Sequence, residues 1–309
     1  MKFRTIKWLI LMFFLLGNII VFNHAYKFTH FSNTGERIRP ENLTLIQKLN
    51  ILFWGIDNPR PSNDKLPAQS YDSIQLQSYE LLEGWFIDNK QSKGIVVLFH
   101  GYSASKSGSL PYSNEFHKLG YKTLLIDFQG SGGSTGNKTT IGVEESRDVK
   151  VAYDYVRENF PNEKVILFGS SMGAASILKS IHDYDILPDK IILECPFHTM
   201  KATMQKRFEA MKIPSFPATE LLLFYGGCIN GFNAFKHNPV DYAKSVDVPT
   251  MLLHGQEDQR VLVSEVDKIF QNLNGYKKLV VLEDCGHQVY LNCNSKKWKS
   301  TVIEFLDRN

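Results

Sequence analysis

Residues 164–181 read KVILFGSSMGAASILKSI. The run Lys164–Phe168 predicts a buried strand, and the spacing of apolar residues after Gly173 predicts a helix. Between them the pattern G-x-S-x-G fits in one register only, with Ser171 in its centre. A serine in so sharp a turn needs small neighbours, because its backbone is strained and the helix passes close by. We therefore predict that Ser171 is a nucleophile held between Gly169 and Gly173; the alternative is an ordinary tight turn.

The same alternation of short apolar runs and amphipathic segments continues on both sides of this turn. Continuous apolar runs, which are typical of strands buried on both faces, occur at Ile95–His100, Thr123–Asp127, Lys164–Phe168, Ile191–Leu193, Met251–His254 and Leu279–Leu282. Helical periodicity lies between them, so the pattern predicts an α/β fold with a mostly parallel sheet and helices on both faces. Residues 198–249 interrupt the alternation and are predicted to form a small helical insertion.

Two further candidates follow other strands of the predicted sheet. Asp258 comes shortly after Met251–His254, and His287 follows Leu279–Leu282 within Cys285-Gly286-His287. Reactive groups of an open α/β sheet collect at the carboxyl ends of its strands. A serine needs an imidazole to take its proton, and the imidazole needs a carboxylate to hold its tautomer. We predict that Ser171, Asp258 and His287 form a catalytic triad.

Acyl transfer also requires hydrogen-bond donors for the oxyanion. The first predicted donor is the backbone N–H of Met172, the residue after the nucleophile. The second is expected from the loop after the strand Ile95–His100, where the candidate is the N–H of Tyr102. The alternative for His100-Gly101 is an ordinary turn that ends a strand.

Six stretches carry a resemblance to a known family: HGYSAS (100–105), IDFQGSGGSTG (126–136), GSSMG (169–173), ECPF (194–197), HGQEDQRV (254–261) and CGH (285–287). From about residue 70 the chain resembles an α/β-hydrolase of the serine aminopeptidase-like branch, which is related to prolyl oligopeptidases. The resemblance implies the same triad and no cofactor. One departure is Gln129, which stands where the loop after Asp127 usually carries arginine, so the substrate contacts of that loop differ.

The first 31 residues form a separate unit in the sequence. A basic stretch with Lys2, Arg4 and Lys7 precedes the apolar run Trp8–Phe22, which reaches ~22 Å as a helix against the ~30 Å of a bilayer core. We expect an uncleaved membrane anchor with the rest of the chain outside the cytoplasm. A cleaved signal peptide and a buried N-terminal helix are the alternatives. Residues 32–70 are predicted to be a linker with an amphipathic helix, and residues 71–309 the catalytic domain.

Charge and cysteine content exclude several classes of function. Residues 32–309 contain 31 basic and 32 acidic side chains and no basic cluster, so no nucleic-acid partner is expected. The four cysteines follow no metal-ligand spacing, and no metal site is expected. Cys195 and Cys228 are predicted to be free buried thiols. The sequence leaves open whether Cys285 and Cys293 pair, which export of the domain would allow.

The substrate class follows from the insertion. An aminopeptidase needs carboxylates for the substrate ammonium, and the insertion offers only Glu209, Glu220, Asp241 and Asp247, with Glu194 as a further candidate. Around Glu220 the chain is apolar and aromatic, with Ile213, Phe216, Leu221, Leu222, Leu223, Phe224 and Tyr225. Such a segment is typical of a lid over an acyl chain, or it forms the core of the insertion itself. We predict a serine hydrolase for esters or related acyl bonds. The alternatives are an aminopeptidase or acyl-peptidase acting on peptide-like substrates, and a catalytically silent binding module.

Overall fold

The computed structural model describes residues 2–33, 44–212 and 214–308. Residues 34–43 of the predicted linker and Ile213 of the predicted lid lie outside this range. The described chain contains one eight-stranded sheet with the order β1-β2-β4-β3-β5-β6-β7-β8. Its strands are β1 (Asp72–Gln77), β2 (Leu81–Ile87), β3 (Ile95–Phe99), β4 (Lys122–Ile126), β5 (Val165–Ser170), β6 (Lys190–Glu194), β7 (Thr250–Gly255) and β8 (Lys277–Leu282).

The strand directions confirm the predicted fold class. β1 and β2 form an antiparallel hairpin, and β2 also runs antiparallel to β4. From β4 to β8 every neighbouring pair is parallel. The carboxyl ends of β5, β6, β7 and β8 therefore lie side by side at one edge, which is where an α/β sheet places its reactive groups.

Helices follow most of the strands. They are α1 (Lys2–Thr29), α2 (Leu45–Trp54), α3 (Leu110–Lys118), α4 (Glu145–Asn159), α5 (Met172–Tyr184), α6 (Met200–Ala210), α7 (Ala218–Asn230), α8 (Pro239–Tyr242), α9 (Val263–Asn272), α10 (Tyr290–Cys293) and α11 (Ser295–Asp307).

Both faces of the sheet are covered. In β3, Val96 and Leu98 belong to a core cluster that also contains Phe116 of α3 and Trp298 of α11. Because successive strand residues point to opposite faces, the equally buried Val97 points the other way. α4 and α5 pack against each other and against the sheet. Burial on two faces explains why these strands read as continuous apolar runs.

The chain divides into two compact units, which differ from the segments predicted from the sequence. One unit contains the described residues of 1–59 together with 200–237, and the other contains 60–199 and 238–309. The first unit holds α1, α2, α6 and α7, and the second holds the whole sheet. The N-terminal helix is therefore grouped with most of the helical insertion. The predicted boundaries at 31 and 70 remain predictions.

Within the first unit, α1 is longer than the apolar run alone indicated. It has 28 residues, and its C-terminal half packs against α2 and α7. Ala25 is 1% exposed. The Asn23 amide donates to the carbonyl of Trp54 over 2.8 Å, and Nε2 of His24 lies 2.9 Å from the carbonyl of Leu52. These contacts make residues 17–31 an integral part of the unit.

The cysteines fall into two kinds. Cys285 and Cys293 form a disulfide, the pairing that export of the domain would allow. Cys195 is a buried free thiol, as predicted. The prediction for Cys228 is wrong, because this free thiol is exposed on α7. The periodicity of α7 could not reveal this, since nearly the whole helix is apolar.

Candidate active site

Ser171 lies in the turn between β5 and α5. β5 ends at Ser170 and α5 begins at Met172, so the strand becomes a helix within a single residue. Ser171 has φ 51° and ψ −107°, a conformation that side chains rarely adopt. Its N–H donates to the carbonyl of Glu194 over 2.7 Å, and its own carbonyl accepts from Ala175. Strain of this kind is stored where surrounding structure enforces it, often at functional sites.

The two glycines of the motif are sterically required. A Cβ on Gly169 would lie 2.6 Å from the carbonyl carbon of Gly173, in the first turn of α5. A Cβ on Gly173 would lie 2.4 Å from the carbonyl oxygen of Phe99 in β3. Both neighbours are backbone atoms that cannot move aside, so only glycine allows α5 to start this close to the sheet.

Asp258 and His287 are in direct contact. Nδ1 of His287 donates to Oδ2 of Asp258 over 2.7 Å. The other carboxylate oxygen accepts from the backbone N–H groups of Arg260 and Val261 at 2.8 and 3.0 Å. The loops that carry the two side chains approach closely, since a Cβ on Gly255 would lie 2.2 Å from the carbonyl oxygen of Cys285. The carboxylate is thus fixed on one side by backbone and holds the imidazole on the other.

Ser171 is brought to the same edge of the sheet but is not bonded to the histidine. Among the described residues, no hydrogen bond joins its Oγ to His287. Hydrogen bonds of this kind are often long or absent without substrate and form in the Michaelis complex. Strand order sets the relation of the three groups: Ser171, Asp258 and His287 follow β5, β7 and β8, and β6 lies between β5 and β7.

Sequence reasoning missed Cys195, which directly follows β6. Its sulfur and one ligand atom each of Asp258 and His287 all lie within 4.8 Å of one another. Cys195 is buried and has φ 40°, outside the range usual for a side chain of its size. The signal was present in the sequence: the motif ECPF ends the strand that lies between those leading to Ser171 and Asp258. Cysteine, aspartate and histidine are also metal-ligand types, but here Asp258 and His287 already bond to each other.

The charges of this cluster are interdependent. Burial opposes ionisation of Asp258, but the hydrogen bonds from His287, Val261 and Arg260 outweigh it and hold the pKa of the carboxyl below its usual value. Burial likewise favours neutral His287, while the interactions with Cys195 and Asp258 favour the imidazolium, and the net pKa of His287 is raised. A raised pKa stabilises the imidazolium that forms when His287 takes the serine proton, and it means that His287 acts as a base only in its deprotonated fraction.

The loop after β3 passes beside the nucleophile. A Cβ on Gly101 would lie 3.7 Å from Cβ of Ser171, so the next residue, Tyr102, follows at the rim of the same turn. His100 holds this loop: its Nδ1 lies 2.8 Å from the carbonyl of Gly101, and its Nε2 accepts the N–H of Phe128 at 3.1 Å. Burial lowers the pKa of His100, which matches an imidazole that accepts at Nε2. Met172, the other predicted donor, is the first residue of α5, where helix N–H groups lack intrahelical partners.

A buried ion pair secures the far end of this loop. Lys106 is fully buried, and its Nζ lies 2.5 Å from both Asp127 and Glu83. Asp127 also accepts from the backbone N–H groups of Lys106 and Gly133. Gln129, which stands in the same loop, is buried, and its side-chain amide donates to Glu144 over 2.8 Å.

Both carboxylate oxygens of Glu194 accept hydrogen bonds in the core beneath the site. It accepts from the Tyr112 hydroxyl at 2.5 Å, from Nε1 of Trp298 at 2.7 Å and from Oγ of Ser170 at 3.4 Å. Burial, partly offset by these bonds, raises the pKa of Glu194 to about 7. Ser170 therefore has a structural partner of its own, and Glu194 has no free oxygen directed at a substrate ammonium.

Comparisons with known proteins agree with this architecture. Residues 90–223 match the family described as serine aminopeptidase, S33. The uncharacterized protein YqkD of Bacillus subtilis is 25% identical over 230 residues, which cover 73% of this chain and 75% of YqkD. The acylamino-acid-releasing enzyme of Rattus norvegicus is 25% identical over 68% of this chain and 30% of its own length. The structure of the Pyrococcus furiosus esterase Pf2001 superposes with a TM-score of 0.69 and 25% identity, covering 82% of this chain and 97% of that one.

The fold, the turn at Ser171 and these similarities define the class of the protein. The chain has the α/β-hydrolase fold, and residues 90–223 match the serine aminopeptidase family, S33. It is a serine hydrolase. The family resemblance noted in the sequence is thereby confirmed.

Proposed function

We propose that this protein is a membrane-anchored serine hydrolase that cleaves carboxylic esters or related acyl bonds through Ser171, His287 and Asp258. The observation that carries the proposal is the 2.7 Å hydrogen bond between Asp258 and His287 beside a serine held in a strained strand-to-helix turn. Each of the three groups follows a different strand of one parallel sheet edge.

The reaction follows from this arrangement. Asp258 accepts a hydrogen bond from Nδ1–H of His287 and so fixes the tautomer, which leaves the lone pair at Nε2 free to take the hydroxyl proton of Ser171. Ser171 Oγ then attacks the acyl carbon, and the N–H groups of Met172 and Tyr102 stabilise the oxyanion. His287 returns the proton to the leaving alcohol, which leaves an acyl-enzyme. Water, deprotonated by His287, completes the cycle by the reverse steps.

The pairing and burial of the acidic residues support ester substrates over aminoacyl substrates. In the insertion Glu209, Glu220 and Asp241 each pair with a lysine at 2.7 to 3.0 Å. Glu194, the other candidate anchor, is buried and bonded to Tyr112 and Trp298. Paired or buried carboxylates do not offer the desolvated charge that an ammonium group requires. The esterase Pf2001, which shares the fold, points the same way.

Two features of the first unit support an uncleaved anchor. Every residue from Phe3 to Leu16 is exposed although the segment is strongly apolar, which argues against a helix buried in a soluble protein. A signal peptide cut near Ala25 would remove a residue that is almost completely buried and would take Asn23 and His24 from their partners in α2. The Cys285–Cys293 disulfide supports an oxidising, extracytoplasmic location for the catalytic domain.

The proposal is tested by labelling cells with a fluorophosphonate probe, followed by separation of membrane and soluble fractions. We expect a labelled band in the membrane fraction that disappears in Ser171→Ala. Ser170→Ala is the matched control, because this neighbouring hydroxyl bonds to Glu194, and it should keep the label. Labelling retained in Ser171→Ala would refute the nucleophile, and a labelled band in the soluble fraction alone would refute the anchor.

Substrate preference is tested on the purified protein. We expect kcat/KM for p-nitrophenyl butyrate to exceed that for aminoacyl p-nitroanilides by far more than it does for an authentic aminopeptidase assayed in parallel. An anilide preference equal to that of the aminopeptidase would favour the peptidase alternative and return Glu194 and Glu220 to consideration as amine anchors.

A further inference from the structure

The stretch of α1 in which every residue is exposed is too short to cross a bilayer by itself. Its uncovered stretch, Phe3 to Leu16, has 14 residues, which at ~1.5 Å per residue span ~21 Å. The hydrocarbon core of a bilayer is ~30 Å thick. From residue 17 onward one side of α1 packs against its own unit, whereas Ile19, Phe22 and Tyr26 remain exposed. If α1 spans the membrane, as the proposed function requires, ~9 Å of the core must lie at the level where α1 is already covered by protein.

The covering element at that level is α7. The hydroxyl of Tyr225 donates to Oδ1 of Asn18 over 2.6 Å. The ring of Tyr225 also packs edge-on against Phe22, with the centroids 5.7 Å apart. Asn18 uses its own amide to donate to the carbonyl of Phe14, so its side chain is satisfied on both sides. Hydrogen bonds between helices are the usual means of placing an asparagine inside a membrane-spanning segment.

Beside its contact with α1, α7 carries apolar side chains that are exposed. Phe224 is 55% exposed and lies one turn from the exposed thiol of Cys228. Phe216, just before the helix, is 75% exposed. From Leu221 to Ile229 the helix carries no charge. Aromatic and apolar side chains on one helix face are typical of helices that lie in a membrane interface.

The charge of residues 200–237 suits the same location. This segment has five basic side chains, Lys201, Lys206, Arg207, Lys212 and Lys236, against the two acidic ones Glu209 and Glu220. Outside α1, the described chain is otherwise nearly neutral, so the excess is local. Basic residues next to an apolar helix favour the surface of a bilayer that contains anionic lipids.

We propose that α7 is a membrane-embedded interfacial helix, which inserts Phe224 and the Cys228 face into the outer leaflet beside α1, while the net positive charge of residues 200–237 lies near anionic headgroups. The occupant of this face is the bilayer itself. The inference rests on the proposed membrane anchor, because the depth of α7 is set by the length of α1 that remains uncovered.

Cys228 provides a native probe for the test. The full-length protein is reconstituted into vesicles of phosphatidylcholine with anionic phosphatidylglycerol, and Cys228 is labelled with an environment-sensitive NBD maleimide. We expect blue-shifted emission and a loss of fluorescence when the vesicles contain lipids with a doxyl quencher on the acyl chain. Labelling before reconstitution keeps the thiol accessible to the reagent.

Two probes placed in Cys228→Ser separate the outcomes. Leu187→Cys, on the catalytic unit, replaces a leucine that is 66% exposed and should report water and show no quenching. Leu11→Cys lies in the uncovered half of α1 and should be quenched if α1 spans. Quenching at 11 with a water-like signal at 228 would overturn the placement of α7 and leave the anchor intact. Water-like signals at both would refute the anchor and, with it, this inference.

Discussion

The sulfur of Cys195 and the imidazole of His287 lie within 4.8 Å of each other, and a carboxylate oxygen of Asp258 lies within the same distance of both. Three titratable side chains thus meet beyond the carboxyl ends of the neighbouring strands β6, β7 and β8. The histidine of this site is therefore tuned by a thiol as well as by a carboxylate, and its protonation depends on both.

The first prediction concerns this thiol. The interaction with Cys195 raises the pKa of His287, so removal of this side chain should let the imidazole lose its proton at lower pH. In Cys195→Ala we expect the acid limb of the kcat/KM profile for p-nitrophenyl butyrate to shift to lower pH, since that limb reports the free enzyme's base. Cys228→Ser, which removes the exposed free thiol, is the control and should keep the wild-type profile. An unshifted limb in Cys195→Ala would show that the thiol has no electrostatic influence on the base.

The second prediction concerns the disulfide. The segment closed by Cys285 and Cys293 contains His287, so its loss should loosen the loop that presents the imidazole to Asp258. We expect the double variant Cys285→Ala, Cys293→Ala to lose about 2–3 kcal/mol of unfolding free energy. Its kcat should fall more than its KM changes, because the base is displaced rather than the substrate. Urea unfolding and steady-state kinetics measure the two effects, and treatment of the wild type with a reductant should reproduce them. A double variant with wild-type kcat would mean that the loop is held by other contacts.

A third prediction follows from the buried carboxyl of Glu194. Its pKa rises from 4.5 to about 7 on folding, so the folded state binds the proton more tightly than the unfolded state. Stability from this group is therefore present at acid pH and is lost as the pH rises towards 7, by up to about 3 kcal/mol. Glu194→Gln removes this component. The difference in unfolding free energy between the variant and the wild type should change in favour of the variant as the pH rises.

The measurement is urea unfolding at a series of pH values. Glu283→Gln is the control for a surface carboxylate, since Glu283 is exposed, and it should retain the wild-type dependence on pH. Parallel curves for Glu194→Gln and the wild type would contradict the prediction, because they would mean that Glu194 ionises alike in the folded and unfolded chains.

The fourth prediction concerns orientation in the membrane. Lys2, Arg4 and Lys7 precede the span, and the positive-inside rule keeps such residues in the cytoplasm. Alkaline phosphatase joined after residue 60 should therefore be active, because it folds only after export. A cytoplasmic reporter joined at the same position should be inactive. The opposite pattern would reverse the orientation and would leave the disulfide without an oxidising compartment.

Much of this architecture could be derived from the sequence because it depends on neighbouring residues. The turn at Ser171 is one example: the register of G-x-S-x-G and the need for glycine on both sides are local steric requirements. The strands are another, since burial on two faces leaves continuous apolar runs such as Ile95–His100. Asp258 and His287 were recognisable because each follows such a run. Their catalytic role remains a prediction, although the structure brings the two side chains into contact.

Only the tertiary structure decided the relations between distant segments. Cys195 lies beside His287 because β6 is placed between β5 and β7, and strand order is not written in local periodicity. Asn18 and Tyr225 are 207 positions apart, yet their hydrogen bond joins the N-terminal helix to the insertion. In the sequence, Glu194 is only a polar residue at the end of a strand. Its burial against Tyr112 and Trp298 depends on how α3 and α11 pack. Short-range propensity determines which element a residue enters, whereas long-range packing determines which side chains meet.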